Sequence, residues 1–232
     1  MVDANDLVRL STWILPLLIA ITFHEAAHGF IAWRLGDDTA RRLGRVTFNP
    51  VAHIDPFGTV LLPALLALSN AGFLFGYAKP VPVNFARLRS PKRDMVWVAA
   101  AGPGVNLLLA LASAAMFHVV WLLPDFLAPW LALNLHNMIL INLILAVFNM
   151  IPLPPLDGGR VAVGLLPHDW AIRLARLERY GIFILIGILI LPALLGRAFG
   201  TEFSLFESII WPPVEFLREL ILTIAGFGRG QS

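Results

Sequence analysis

Between Asp94 and Asp157 the chain carries one charged side chain, Asp125. Crossing about 30 Å of hydrocarbon takes about 20 helical residues, so this region reads as two membrane helices, roughly 95–123 and 130–151, joined at Leu123-Pro124-Asp125. Residues 7–33 form another candidate span, interrupted only by Arg9, Glu25 and two histidines, and 180–196 form a fourth, with Pro192 near its end. Residues 208–227 carry Glu215, Arg218 and Glu219 and read as a tilted or interfacial helix. The start of the chain is acidic, at Asp3 and Asp6, where a cleaved signal peptide needs a basic start, so the first helix is expected to stay. With 58% hydrophobic and 14% charged residues, against about 25% charged in ordinary soluble domains, the expected fold class is an α-helical, polytopic integral membrane protein.

Orientation follows from the short loops that hold Lys and Arg. Thirteen of the 17 basic residues lie in three of them: Arg34, Arg41, Arg42 and Arg45; then Lys79, Arg87, Arg89, Lys92 and Arg93; then Arg160, Arg173, Arg176 and Arg179. These loops are expected on the cytoplasmic side, with the N-terminus outside. The uncharged run 56–78 lies between two of them, so a single crossing would put one on the wrong side. It is therefore expected to dip in and return, or to form a buried hairpin on the soluble side. Pro63, Gly58, Gly72 and Gly76 suit broken backbone, which is tolerated at membrane depth where protein or water surrounds it. Alternation across 77–85 suggests a short strand or β-hairpin. Basic residues scattered among apolar runs argue against a nucleic-acid partner. The whole chain reads as a single membrane-embedded domain, with a core at about 7–165 and C-terminal helices at about 178–228.

The chemistry-bearing segment is His24-Glu25-Ala26-Ala27-His28, in the last third of the first helix. Residues four apart share a helix face, so both imidazoles can grip a single Zn²⁺, with Glu25 one step round and within reach of a water. With no Cys in the chain, any metal rests on His, Asp or Glu. The bland alternative is a pair of buried histidines and a Glu held by hydrogen bonds, a costly arrangement inside a membrane helix. A catalytic zinc needs a third protein ligand. The soluble extension of the motif fails, because Ile31 and Arg34 occupy the places of its glycine and last histidine. His118 and His136 lie at the wrong depth, and His168 belongs to a basic loop. Asp157 fits best, at the cytoplasmic mouth of its helix between Pro152-Leu153-Pro154-Pro155-Leu156 and Gly158-Gly159, although an Asp-Gly turn is the alternative reading.

Three segments together resemble a known family. They are Phe23-His24-Glu25-Ala26-Ala27-His28-Gly29, Ala101-Gly102-Pro103-Gly104-Val105-Asn106, and Asn149-Met150-Ile151-Pro152-Leu153-Pro154-Pro155-Leu156-Asp157-Gly158-Gly159. The pattern, over about residues 10–165, is similar to the site-2 protease family of intramembrane zinc metalloproteases (peptidase family M50), in a compact form without PDZ or CBS segments. Asn49-Pro50-Val51-Ala52-His53-Ile54-Asp55-Pro56 also fits one of its branches. The resemblance implies a three-helix catalytic core with a re-entrant loop or short β-hairpin near 56–85. It also implies one Zn²⁺ held by His24, His28 and Asp157, with Glu25 as catalytic base. Its substrates would be transmembrane segments cut within the lipid bilayer, such as membrane-anchored regulators or leftover signal peptides. Asn149, and after it Asn106, are candidate donors to the reaction's oxyanion. His53 is a candidate supporting or substrate-loop residue. A homo-oligomer or a regulatory membrane partner stays open, and two rival classes remain, a metal transporter and a catalytically silent helix-binding scaffold.

Overall fold

The computed structural model describes residues 4–61, 64–65, 76–181, 183–185, 187 and 205–228. Three described helices are long and apolar enough to cross a membrane: α1 (Ala4–Arg34), α3 (Pro91–Met116, continued by the 3-10 turn Phe117–Leu122) and α4 (Ala128–Asn149). They match the expected stretches to within a few residues. Shorter helices are α2 (Thr39–Arg42), α5 (Asp157–Leu165) and α6 (His168–Arg176), and α7 (Leu205–Ile224) closes the described chain. The expected span 180–196 lies mostly outside the described residues.

The helices carry an apolar exterior as well as an apolar interior. Trp13, Trp97, Leu108 and Phe126 are all at least half open to the surroundings or close to it, a pattern that a water-soluble surface of this extent does not tolerate. Inside, α1, α3 and α4 pack on one another. Ala110 and Ala114 of α3, Ile139 and Leu143 of α4, and Ile210, Val214 and Ile221 of α7 form one buried cluster. The small residues of α3 let its backbone come close to its neighbours, as membrane helix pairs require. Helix α7 thus has one apolar face covered by protein, while Phe216 and Ile224 point outward.

Polar side chains fasten the bundle across its length. The indole nitrogen of Trp130 donates to Ser11 Oγ at 3.0 Å, Asn137 Nδ2 donates to the Thr12 carbonyl at 2.8 Å, and Asn106 Nδ2 donates to Asn142 Oδ1 at 2.7 Å. Thr12, Asn106, Asn137 and Asn142 are buried between the helices, where a polar group needs a partner within the protein. At the entry to α3, Pro91 occupies the first turn, where its missing N–H costs nothing, and the Asp94 carboxylate accepts from Ser90 N at 2.8 Å.

The stretch 76–84 is extended, but among the described residues none forms a strand. Pro80 and Pro82 bring no N–H to a ladder, and the donors that remain go elsewhere. Tyr77 N bonds the Gly58 carbonyl at 3.0 Å, Lys79 N the His53 carbonyl at 2.9 Å, and Asn84 N the Asp37 carboxylate at 2.6 Å. The expected β-hairpin is therefore replaced, where it is described, by an extended segment tied to loops and to α1; its other half, and most of the expected re-entrant run, lies outside the described residues. Residues Pro56–Leu61 form a short π-helical turn, capped by Asp55 Oδ1, which accepts from Phe57 N and Gly58 N.

Candidate metal centre

Helix α1 presents His24 and His28 on one face, with ring centroids 4.7 Å apart. Asp157, first residue of α5, reaches the same point from a distant part of the chain. Its Oδ2 lies 3.1 Å from His24 Nε2 and 3.3 Å from His28 Nε2, and the two Nε2 atoms are 3.0 Å apart. The loop before α5 can fold this tightly because of Gly158 and Gly159. A Cβ on the first would stand 2.3 Å from the Met150 carbonyl oxygen, and on the second 2.3 Å from Pro154 N.

The far side of each ring is already committed. His28 Nδ1 lies 2.7 Å from the Val98 carbonyl, which can only accept, so that nitrogen carries the hydrogen. Asn106 donates through Nδ2 to Asn142 and to the Ala20 carbonyl, so its Oδ1, 2.5 Å from His24 Nδ1, must accept. Both Nε2 lone pairs then face each other and a carboxylate oxygen that is buried and has no hydrogen-bond partner. Three acceptors this close repel unless a cation lies among them. Tetrahedral zinc, with bonds of about 2.0–2.2 Å, sets its ligand atoms about 3.3–3.5 Å apart. The observed triangle is within a few tenths of an ångström of that, so the residues fit the ion. Among the described residues, these three are the one group able to hold a metal.

The centre lies at the wall of a cavity of about 410 Å³ that also touches Glu25, Val81, Asn149 and Arg160. Glu25 Oε2 accepts from Val81 N at 2.7 Å, which aims the carboxylate at the extended segment. Asn149 spends one amide hydrogen on the Leu145 carbonyl, at 2.9 Å. Its second is uncommitted among the described residues. Asn106, by contrast, is fully enclosed behind His24 and does not line the cavity. It stands where it can orient the ring. His53 is also buried away from the cavity, its Nε2 donating to the Thr47 carbonyl at 3.0 Å, so it braces the loop that carries it.

Three contributors were not singled out by sequence reasoning. The first, Gly102, is the point of closest approach of α3, where a Cβ would stand 2.5 Å from His28 Nε2 and 2.6 Å from His24 Nε2. Asp37 is fully buried after the end of α1 and holds Thr39 and Asn84 by their backbone N–H groups. The Asp-x-Thr spacing of a turn was its available signal. Arg160, one helical turn beyond Asp157, sits over the Phe85 ring at 5.6 Å and pairs with Glu178 at 3.2 Å; nothing local in the sequence marked it.

The family model of peptidase family M50 matches residues 128–194. A Bacillus subtilis (strain 168) protein, YwhC, whose name presents it as a candidate zinc metalloprotease, is 33% identical over 223 residues, covering 91% of this chain and 89% of the relative. Rip2 of Mycolicibacterium smegmatis, named in the same way, is 30% identical over 195 residues, covering 84% of this chain and 70% of its own length. No solved structure matches this chain.

Proposed function

The chain belongs to peptidase family M50, and from that premise we propose that it is an intramembrane zinc metalloprotease of the site-2 type, hydrolysing peptide bonds in or beside the transmembrane segments of other proteins. The observation that carries this reading is the convergence of His24, His28 and Asp157 on one point, with Glu25 beside them at the wall of a cavity. Metal transport is less well supported, since conduction needs polar groups at several depths along a path and these ligands cluster at one.

His24 and His28, through Nε2, and Asp157, through Oδ2, would hold the ion. When bound it supplies Lewis acidity toward water and toward the scissile carbonyl. Glu25 takes the proton of the attacking water on its carboxylate and returns it to the leaving amine nitrogen. Asn149 offers its second amide hydrogen to the carbonyl oxygen as negative charge develops there. Asn106 acts through His24 by fixing which nitrogen faces the metal. Replacing Asn106 with Ala should therefore weaken zinc binding about 10- to 100-fold, read in competition with a chromophoric chelator, while the protein keeps its helical spectrum.

A substrate helix must be opened before it can be cut, because every backbone group in it is paired. The extended segment 76–84, with Glu25 on its Val81 N–H, is the natural place for an unwound strand to pair by its backbone. Substrates with Gly or Pro in the segment would open most readily. In the membrane the chain is a single multi-pass domain with its three basic loops and its active site on the cytoplasmic side and its N-terminus outside. Because the chain has no Cys, cysteines introduced singly at Arg42, Arg89 and Arg173 can be labelled without background. All three should react only with reagent admitted to the cytoplasmic side, and an external position 89 would overturn the re-entrant path.

The direct test is metal analysis with cleavage in parallel. The purified chain should hold one zinc, and lose both zinc and cleavage of a reconstituted transmembrane substrate on treatment with a strong chelator. Added zinc should restore both. His24→Ala and Asp157→Ala should bind no zinc under the same conditions, and full occupancy in either variant would refute the ligand set.

A further inference from the structure

Helix α6 and the turn Leu177–Tyr180 that follows it form a surface the proposed chemistry does not use. The helix meets the rest of the protein through little more than Ala171, its one buried residue. Trp170 is 60% exposed, Tyr180 50%, Leu177 39% and Ile172 38%. Arg173, Arg176 and Arg179 are all exposed as well. Two of these arginines lie over their aromatic neighbours, Arg173 5.3 Å above Trp170 and Arg179 4.6 Å above Tyr180. Trp170, Leu174 and Leu177 recur at helical spacing as an apolar stripe, with the arginines beside it. Of the acids in this stretch, Glu178 is already paired with Arg160, which leaves Asp169 against three arginines.

The depth of this surface is fixed by contacts to a spanning helix. Lys92, in the first turn of α3, donates from Nζ to the Leu166 carbonyl at 2.6 Å, just before α6 begins. Gly164 rests on the same turn, where a Cβ would lie 2.3 Å from Val96 Cγ2 and 3.0 Å from the Lys92 carbonyl oxygen. The start of α6 is therefore pinned level with the first turn of α3, which the topology proposed above puts at the cytoplasmic end of a membrane span.

We propose that α6 and its following turn lie in the headgroup layer and bind anionic phospholipid, with Arg173, Arg176 and Arg179 on the phosphates and Trp170 and Leu177 in the upper acyl region. Amphipathic helices with basic and aromatic residues take up this position, and each Lys or Arg near an anionic surface adds about 1 kcal/mol, roughly a fivefold factor. A second copy of the chain is the other conceivable cover, but it would bring three more arginines against these three.

The experiment uses the full chain with Leu177→Cys carrying an environment-sensitive fluorophore, reconstituted in vesicles of phosphatidylcholine alone or mixed with phosphatidylglycerol. In the mixed vesicles the label should shift to the blue, resist iodide and be quenched by lipids brominated high on the acyl chain. In phosphatidylcholine alone, or with Arg173, Arg176 and Arg179 all changed to Gln, the ratio of docked to undocked helix should fall, by roughly a hundredfold for the three charges together. Should the triple variant fail to fold, raising the salt around the labelled parent chain tests the same charges and should undock the helix progressively. Equal shielding in both kinds of vesicle, or free iodide access in the mixed ones, would overturn the proposal. Shielding that rises with protein density, with disulfides forming between chains that carry the same cysteine unlabelled, would assign the surface to a second copy instead.

Discussion

Glu25→Gln should cut the rate of transmembrane substrate cleavage by about 10²- to 10⁴-fold while the protein keeps its zinc. The amide has the shape of the carboxylate and can still accept from Val81 N through its carbonyl oxygen, a bond that Glu25 makes at 2.7 Å. It has no basic oxygen at neutral pH, so the proton of the attacking water has nowhere to go. Glu25 is not one of the three converging ligands, so metal content separates a failed reaction from a failed site. Wild-type and variant protein are compared in the same vesicles, with cleavage read on gels and zinc by atomic emission. Equal processing by the variant would remove Glu25 from the reaction, and loss of zinc in the variant would mean that the carboxylate supports the site instead.

Gly102→Ala should be nearly as damaging to activity by a different route. The added methyl would stand 2.5 Å from His28 Nε2 and 2.6 Å from His24 Nε2, closer than non-bonded atoms allow. One side of the contact is the backbone of a spanning helix, so α3 must shift away from α1 or both rings must turn out of position. Overpacking of this kind costs about 1–3 kcal/mol, and here the strain falls on the metal ligands themselves. The expected result is a protein that inserts and stays helical, binds zinc well below one per chain, and does not cleave. Gly104→Ala provides the control two residues along the same helix. Its Cβ would meet nothing within 4 Å, and alanine favours a helix over glycine by about 1 kcal/mol, so that variant should load zinc normally. If Gly102→Ala also loads normally, the close approach of α3 is not what holds the two rings together.

The parts of this architecture that could be read in advance are those in which a local pattern carries the physics. Helices α1, α3 and α4 announce themselves because a span needs a fixed length of uncharged sequence. His24, Glu25 and His28 are legible because helical spacing alone puts two imidazoles on one face. Asp157 stood out as a charge ending an apolar run. What could not be read depends on partners far away in the chain. The residues of 77–85 alternate as a strand would, yet Val81 N and Asn84 N bond the side chains of Glu25 and Asp37, and no local pattern foretells that. Asn106 could equally have been an oxyanion donor, a helix link or a histidine support; the choice is set by Asn142, which turns its amide so that the oxygen faces His24. Gly102 belongs to a segment that carries the family resemblance, but its close approach to two rings shows only once those rings are in place opposite it.

The polar links along α1 bear on how such a centre comes together at all. Ser11 and Thr12 are held by Trp130 and Asn137 of α4, and His24 is held by Asn106 of α3, so the fastenings span about 20 Å of one helix at 1.5 Å per residue. Hydrocarbon packing by itself would let two smooth helices slide or rotate past each other at little cost. A slip of α1 by a single residue would turn it by 100° and break every one of these bonds together. The alignment of His24 and His28 along α1 is thus decided partly by side chains near the other end of the helix, and damage there would be felt as a misplaced imidazole three turns away.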